Sequence, residues 1–197
     1  MGNRQVFRSN RIELTLSVWG FEDVNLKKSI ILVGMMGCGK SSVAKELSKR
    51  LQCDAVDTDR EIEKRAGISI PDIFEFAGEE GFRRRETETL RDVLKREGVV
   101  IATGGGIVTR PENRELIRAA GCHVIYLKVS PKVAYERTRY SDRPLLKTEN
   151  PLQKLEALIE ERSPFYESVC TVVVDGDSKR TDDVAAEIVE YLTNTEE

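Results

Sequence analysis

The stretch Gly34-Met35-Met36-Gly37-Cys38-Gly39-Lys40-Ser41 decides the fold, because it reads as G-x-x-x-x-G-K-[ST]. It follows a β-branched run, Ser29 to Val33, and precedes a helical pattern in which Val43, Leu47 and Leu51 share one face. Strand, glycine loop and helix in that order make a phosphate cradle. The glycines let backbone N–H groups turn inward, and the helix N-terminus adds its dipole. Lys40 can neutralise the outer phosphates of a nucleotide, and Ser41 can ligate Mg²⁺. Gly37, Cys38, Gly39, Lys40, Ser41 and Ser42 are the expected nucleotide contacts. A glycine-rich turn arising by accident would need neither flanking element.

Working outward, short β-branched runs alternate with helical patterns from Lys28 onward, which is the signature of βαβ units around a parallel sheet. Strands are expected at Ser29 to Val33, Ala55 to Val56, Val99 to Ala102, His123 to Lys128 and Thr171 to Val174, with helices between. Residues 1–27 read differently: Leu14, Leu16 and Val18 alternate, yet no turn or cap ties them to the rest. They are taken as an N-terminal extension and a candidate for disorder, with residues 28–197 as the domain. A start placed upstream of the true one is the favoured account of the extension, over an interaction arm or part of a transit peptide. Between Tyr140 and Asn150 no apolar period of either kind is visible, so a mobile loop is expected there.

Composition narrows the function. The chain has 197 residues, 40% hydrophobic and 33% charged, which suits one globular domain. Its 31 Lys and Arg are interspersed among 34 Asp and Glu for a net charge of -3, without the basic balance of a nucleic-acid binder. No apolar run is long enough for a membrane helix, and no secretory signal is visible. Cys38, Cys53, Cys122 and Cys170 lack C-x-x-C spacing, which favours a reducing cytoplasm over a disulfide framework or a zinc site. A small-molecule partner and a monomer are the expectations.

The second strand ends in Asp57-Thr58-Asp59, at the strand end where open α/β sheets place ligands. Alternation would point both carboxylates to one side, one serving hydrated Mg²⁺ and the other orienting or deprotonating an acceptor hydroxyl. Asp59 would also make a respectable helix N-cap, and both roles can hold together.

In Glu79 to Glu97, Phe82, Leu90, Val93 and Leu94 form one helical stripe, and Arg83 and Glu86 fall inside it. An arginine on a core-facing stripe needs a partner, either Glu86 or an anionic ligand. Arg162 projects among Leu152, Leu155, Leu158 and Ile159 on the helix opened by Asn150 and Pro151. Pro164 is expected to disturb that helix where Arg162 emerges. Two inward arginines suit a planar carboxylate or phosphate, although each could be a structural ion pair. Gly104-Gly105-Gly106 ends a strand, offering either close backbone approach to a ligand or a tight turn. His123, the only histidine, opens an apolar strand and reads as structural.

In order, Gly34 to Ser41, Asp57-Thr-Asp59, Phe82-Arg83 with Glu86, Gly104 to Gly106, Arg143-Pro-Leu-Leu146 and Arg162-x-Pro-x-Tyr166 resemble the shikimate kinase family. The resemblance covers roughly Lys28 to Leu192 and implies an α/β, three-layer P-loop kinase fold. It further implies a five-stranded parallel sheet of order 2-3-1-4-5 and a lid at about residues 139–150. The implied reaction is ATP-dependent phosphorylation of the shikimate 3-hydroxyl. By the same resemblance Lys40 and Ser41 serve ATP and Mg²⁺, Asp57 supports the metal through water, and Asp59 binds acceptor hydroxyls and helps remove the proton. Arg83 and Arg162 clamp the shikimate carboxylate near the backbone of Gly105 and Gly106. Arg143 reaches the phosphates from the lid. Arg137 stacks on adenine, and the Asp175-Gly-Asp177 turn forms the adenine loop. A nucleoside monophosphate kinase, a gluconate-type sugar kinase and a non-catalytic nucleotide sensor are the competing readings.

Overall fold

The computed structural model of the chain describes residues 28–141 and 144–195, so the reading of residues 1–27 lies outside the described residues. Five strands form one parallel sheet: β1 (Ile30–Val33), β2 (Ala55–Asp57), β3 (Val100–Ala102), β4 (His123–Lys128) and β5 (Val172–Asp175). Their spatial order is β2-β3-β1-β4-β5, as the resemblance implied. Ile30 pairs with Val100 on one side and with His123 on the other, which puts β1 at the centre. A central parallel strand is covered on both faces, and all four residues of β1 are fully buried.

Side-chain alternation along β1 splits the core in two. Ile30 and Leu32 pack with Val43 and Leu47 of α1 (Lys40–Arg50) and with Ile188 and Leu192 of α7 (Thr181–Thr195). Ile31 and Val33 face the other layer. There they meet Leu90 and Val93 of α3 (Ile70–Val93), Ile117 of α4 (Pro111–Ala119) and Tyr166 of α6 (Pro151–Glu167). The remaining helices among the described residues are α2 (Thr58–Ala66), α5 (Pro131–Thr138) and two single 3₁₀ turns, Ile107–Thr109 and Pro144–Leu146.

Strand bounds agree with the sequence to within a residue, but three local expectations are corrected. Helix α3 is longer than the expected Glu79 to Glu97 segment: an earlier arm, 70–77, precedes it, and Gly78, with φ 65 and ψ −178, breaks the two apart. Pro164 does not interrupt α6, which continues to Glu167. Proline denies a bond only to the Glu160 carbonyl, and Glu160 lies on the exposed side, where water can serve it. The segment between Tyr140 and Asn150 is not wholly loop, because its 3₁₀ turn anchors Leu146 in the core beside Leu155.

Candidate active site

The glycine loop leaves β1 and curls around the Lys40 ammonium, which donates to the carbonyls of Gly34 at 2.7 Å and Met35 at 2.9 Å and lies 3.4 Å from Cys38 Sγ. Three glycines are needed for that curl. Gly34 has φ 141, and a Cβ there would lie 2.5 Å from the Leu127 carbonyl oxygen. Gly37 has φ 82, and a Cβ there would come within 2.7 Å of the Ala134 carbonyl. Gly39, the N-cap of α1, has φ 95, a conformation that L side chains rarely adopt.

Ser41 Oγ donates to Asp57 Oδ2 at 2.6 Å. Asp57, not Asp59, is the N-cap of α2: its Oδ1 accepts from Asp59 N at 3.0 Å and Arg60 N at 3.4 Å. Strand alternation therefore does not relate the two carboxylates, since Asp59 already sits on the first helical turn. They still line one cavity, because the turn wraps Asp59 back toward the loop. Ser41 and Asp57 supply hard oxygen donors side by side, which fits Mg²⁺. Among the described residues no group of three or more His, Cys, Asp or Glu side chains could hold a metal. Two protein oxygens completed by water and phosphate is the habit of Mg²⁺ rather than of a caged metal.

Two cavities meet here. The first, of about 360 Å³, is lined by Gly37, Gly39, Lys40, Ser41, Ser42, Asp57 and Arg137. The second, of about 210 Å³, takes Arg83, Glu86, Arg162, Gly104, Gly105 and Gly106 from three different elements. Met36, Asp59 and Gly105 line both. The smaller volume falls below the roughly 300 Å³ at which pockets for drug-sized ligands begin. With two arginines on its floor, it suits a small acid.

The second cavity is charged at its floor. Arg83 Nη1 donates to Glu86 Oε2 at 2.7 Å, and Nη2 donates to Glu79 Oε1 at 2.9 Å. Burial alone would weaken the Arg83 cation, but Glu86 and Glu79 outweigh it and hold the guanidinium protonated above its ordinary value. Glu86 is fully buried, and burial pushes its carboxyl up against the pull of Arg83 and Arg162. Arg162 is 4% exposed, and among the described residues its Nε and Nη1 have no hydrogen-bond partner. Buried donors left open toward a cavity are costly unless something anionic meets them.

The glycine triplet serves these side chains. A Cβ on Gly106 would overlap the Arg83 guanidinium, and one on Gly104 would lie 2.6 Å from both Asp59 Oδ1 and Glu86 Oε1. Neither position tolerates a side chain without moving a charged group.

On the far side of the loop, Arg137 donates to Gly176 O at 3.0 Å and more weakly to Gly37 O at 3.4 Å, tying the phosphate loop to the turn after β5. Cys38, Gly39, Ser42, Arg137 and Gly176 line a further recess there. Arg143 lies outside the described residues. His123 opens β4 and meets the Tyr191 ring edge-on, which is a packing role. The other residues expected to bind nucleotide, acceptor or metal each line one of these cavities, whereas of the Asp175-Gly-Asp177 turn only Gly176 does.

Sequence reasoning missed three features. Ser69 and Asp72 form a reciprocal capping box at the start of α3, which stands Ile70, Pro71 and Phe74 along the second cavity. The Ser69-x-x-Asp72 spacing could have revealed it. Glu79, the second carboxylate on Arg83, follows from its i,i+4 spacing. Tyr166 donates its hydroxyl to the Gly105 carbonyl, a contact between residues 61 apart in the chain that no local signal announces.

A phosphate loop opening into a small, arginine-floored acceptor cavity on this sheet defines a P-loop kinase of a small anionic acceptor. The shikimate kinase family model matches residues 36–193. A shikimate kinase of Dechloromonas aromatica is 49% identical over 170 residues, covering 86% of this chain and 90% of that protein. A second, from Hahella chejuensis, is 44% identical and covers 92% and 94%. The structure of Acinetobacter baumannii shikimate kinase in complex with shikimate superposes with a TM-score of 0.83 at 39% identity, covering 87% and 96%. A Sinorhizobium meliloti gluconokinase, with a TM-score of 0.57 at 18% identity, shares the fold alone. The chain belongs to the shikimate kinase family, transferases that use ATP.

Proposed function

We propose that the chain transfers the γ-phosphoryl group of ATP in line to the 3-hydroxyl of shikimate, with the two cavities as donor and acceptor halves of one site. ATP-dependent phosphorylation of shikimate, a step in aromatic biosynthesis, is the activity of its family. The observation that carries the assignment of halves is that Met36, Asp59 and Gly105 line both cavities, so the reacting atoms would meet at Asp59.

The acceptor carboxylate would lie against Arg83 and Arg162, whose planar forks bind such groups bidentately. That end-on anchoring would leave the ring hydroxyls toward Asp59. As the hydroxyl oxygen forms its bond to the γ-phosphorus, the bond to the β–γ bridging oxygen breaks and ADP leaves. Asp59 takes the hydroxyl proton. Lys40, and Arg143 from the lid, would oppose the charge of the phosphates in flight. Ser41, with Asp57 through water, would hold Mg²⁺, which supplies charge neutralisation on the β- and γ-phosphate oxygens when bound. Arg137 would cover the base beside the Asp175-Gly-Asp177 turn, and the lid about 139–150 would exclude water so that ATP is not hydrolysed.

We read residues 28–197 as the kinase domain of a cytoplasmic monomer whose partners are small molecules rather than nucleic acid or membrane. No described helix is long and apolar enough to cross a membrane. The deciding experiment is ADP release measured with shikimate, gluconate, AMP and CMP offered separately. Release should depend on shikimate alone, and release with gluconate or a nucleoside monophosphate, or none with any acceptor, overturns the reading.

A further inference from the structure

The Gly105 carbonyl and the Gly106 N–H belong to one peptide unit and point in opposite directions, because a trans peptide sets them so. The carbonyl accepts the Tyr166 hydroxyl. Tyr166 is itself immobile: it is fully buried, stacks on Tyr126 with ring centroids 5.0 Å apart, and places its hydroxyl 3.8 Å from Met35 Sδ. Burial holds the phenol above its ordinary value, so it stays a donor.

The other end of this peptide is open. Among the described residues neither the Gly105 nor the Gly106 N–H has an acceptor, although Gly104 N donates to Thr58 Oγ1 and the Gly106 carbonyl accepts from Thr109. Both glycines line the acceptor cavity, whereas Tyr166 does not. A peptide between two glycines has little steric resistance to rotation, since neither side carries a Cβ. Were it to flip, a carbonyl would face a cavity floored by Arg83 and Arg162 and built to receive an anion. The N–H would be lost to that anion.

We propose that Tyr166 is a positioning residue that locks the Gly105–Gly106 peptide with its N–H toward the acceptor's carboxylate. It rests on the acceptor-site reading given above. The same tyrosine lies one helical turn beyond Arg162, so one helix supplies both a guanidinium for the carboxylate and the latch on the backbone donor opposite.

Tyr166→Phe tests this, with Tyr126→Phe as a control that also removes a buried-ring hydroxyl, one that lies 3.4 Å from Ser163 Oγ. Y166F should raise the KM for shikimate about tenfold while the KM for ATP stays within about twofold, and Y126F should change neither. An unchanged shikimate KM in Y166F, or an equal rise for both substrates, overturns the latch. In ¹⁵N-labelled wild-type protein, which needs no variant, the Gly106 amide resonance should move on saturation with shikimate. A Gly106 resonance that does not respond overturns it as well. Arg162→Lys separates the two levels of argument: if R162K raises the shikimate KM and Y166F does not, only the latch falls. If neither does, the acceptor-site reading falls with it.

Discussion

Arg83 Nη1 lies 2.7 Å from Glu86 Oε2 at the floor of the smaller cavity, so the arginine assigned to an anionic acceptor already has an internal carboxylate. Ion pairing and ligand binding are not exclusive here. Guanidinium carries five N–H donors, and the carboxylates of Glu86 and Glu79 leave part of the fork open. The pair fixes the plane of the guanidinium before any acceptor arrives.

Replacing Arg83 with alanine should therefore act on two quantities. The shikimate KM should rise about 10- to 100-fold, as expected for a lost charge-assisted bond, with the ATP KM unchanged. Equal losses for both substrates, measured by steady-state kinetics, would count against the carboxylate clamp.

Glu86 gives a pH signature. Burial raises its carboxyl above the ordinary 4.5, so the native state takes up this proton before the unfolded chain does. Stability from this group is fully present below 4.5 and is lost as pH rises through the raised native value. Glu86→Gln removes that dependence. In urea titrations from about pH 5 to about pH 8, the variant should gain stability relative to the parent as pH rises. A difference that is flat across this window would contradict the burial argument.

Asp57 carries two jobs, and Asp57→Asn separates them. Asparagine caps a helix about as well as aspartate, so the melting temperature should hold to within about 2 °C. The carboxylate is lost, so the Mg²⁺ concentration giving half-maximal activity should rise about tenfold or more. If stability falls and the metal titration does not move, the capping role is the whole of it.

Gly106→Ala should displace Arg83, because the new methyl and the guanidinium claim the same space. The arginine cannot swing away cheaply while held by two carboxylates. A shikimate KM raised about tenfold, with nucleotide affinity by calorimetry unchanged, is the expected result. Unaltered acceptor kinetics would mean that the arginine has room to move.

Arg137→Ala should weaken ATP alone. The side chain joins the phosphate loop to the Gly176 turn, remote from the acceptor cavity. An ATP KM raised about fivefold with the shikimate KM held is the expected pattern, and the reverse would remove Arg137 from the nucleotide side.

What the sequence determined by itself is what short range and periodicity encode. The glycine loop between a buried strand and an amphipathic helix announces its phosphate cradle, since every element of the signal lies within about twenty residues. Helical spacing placed Arg83, Glu86 and Arg162 on core-facing stripes, because the angle per residue is fixed wherever a helix forms. Tertiary structure decided the rest. Whether Asp57 or Asp59 caps α2 depends on the residue at which the backbone leaves the strand, and that is set by pairing with β3. Whether Pro164 breaks α6 depends on which side of the helix meets water. The grip of Tyr166 on Gly105 spans 61 residues and exists only because α6 packs on the face of the sheet that carries Ile101 of β3, a meeting that no local pattern encodes.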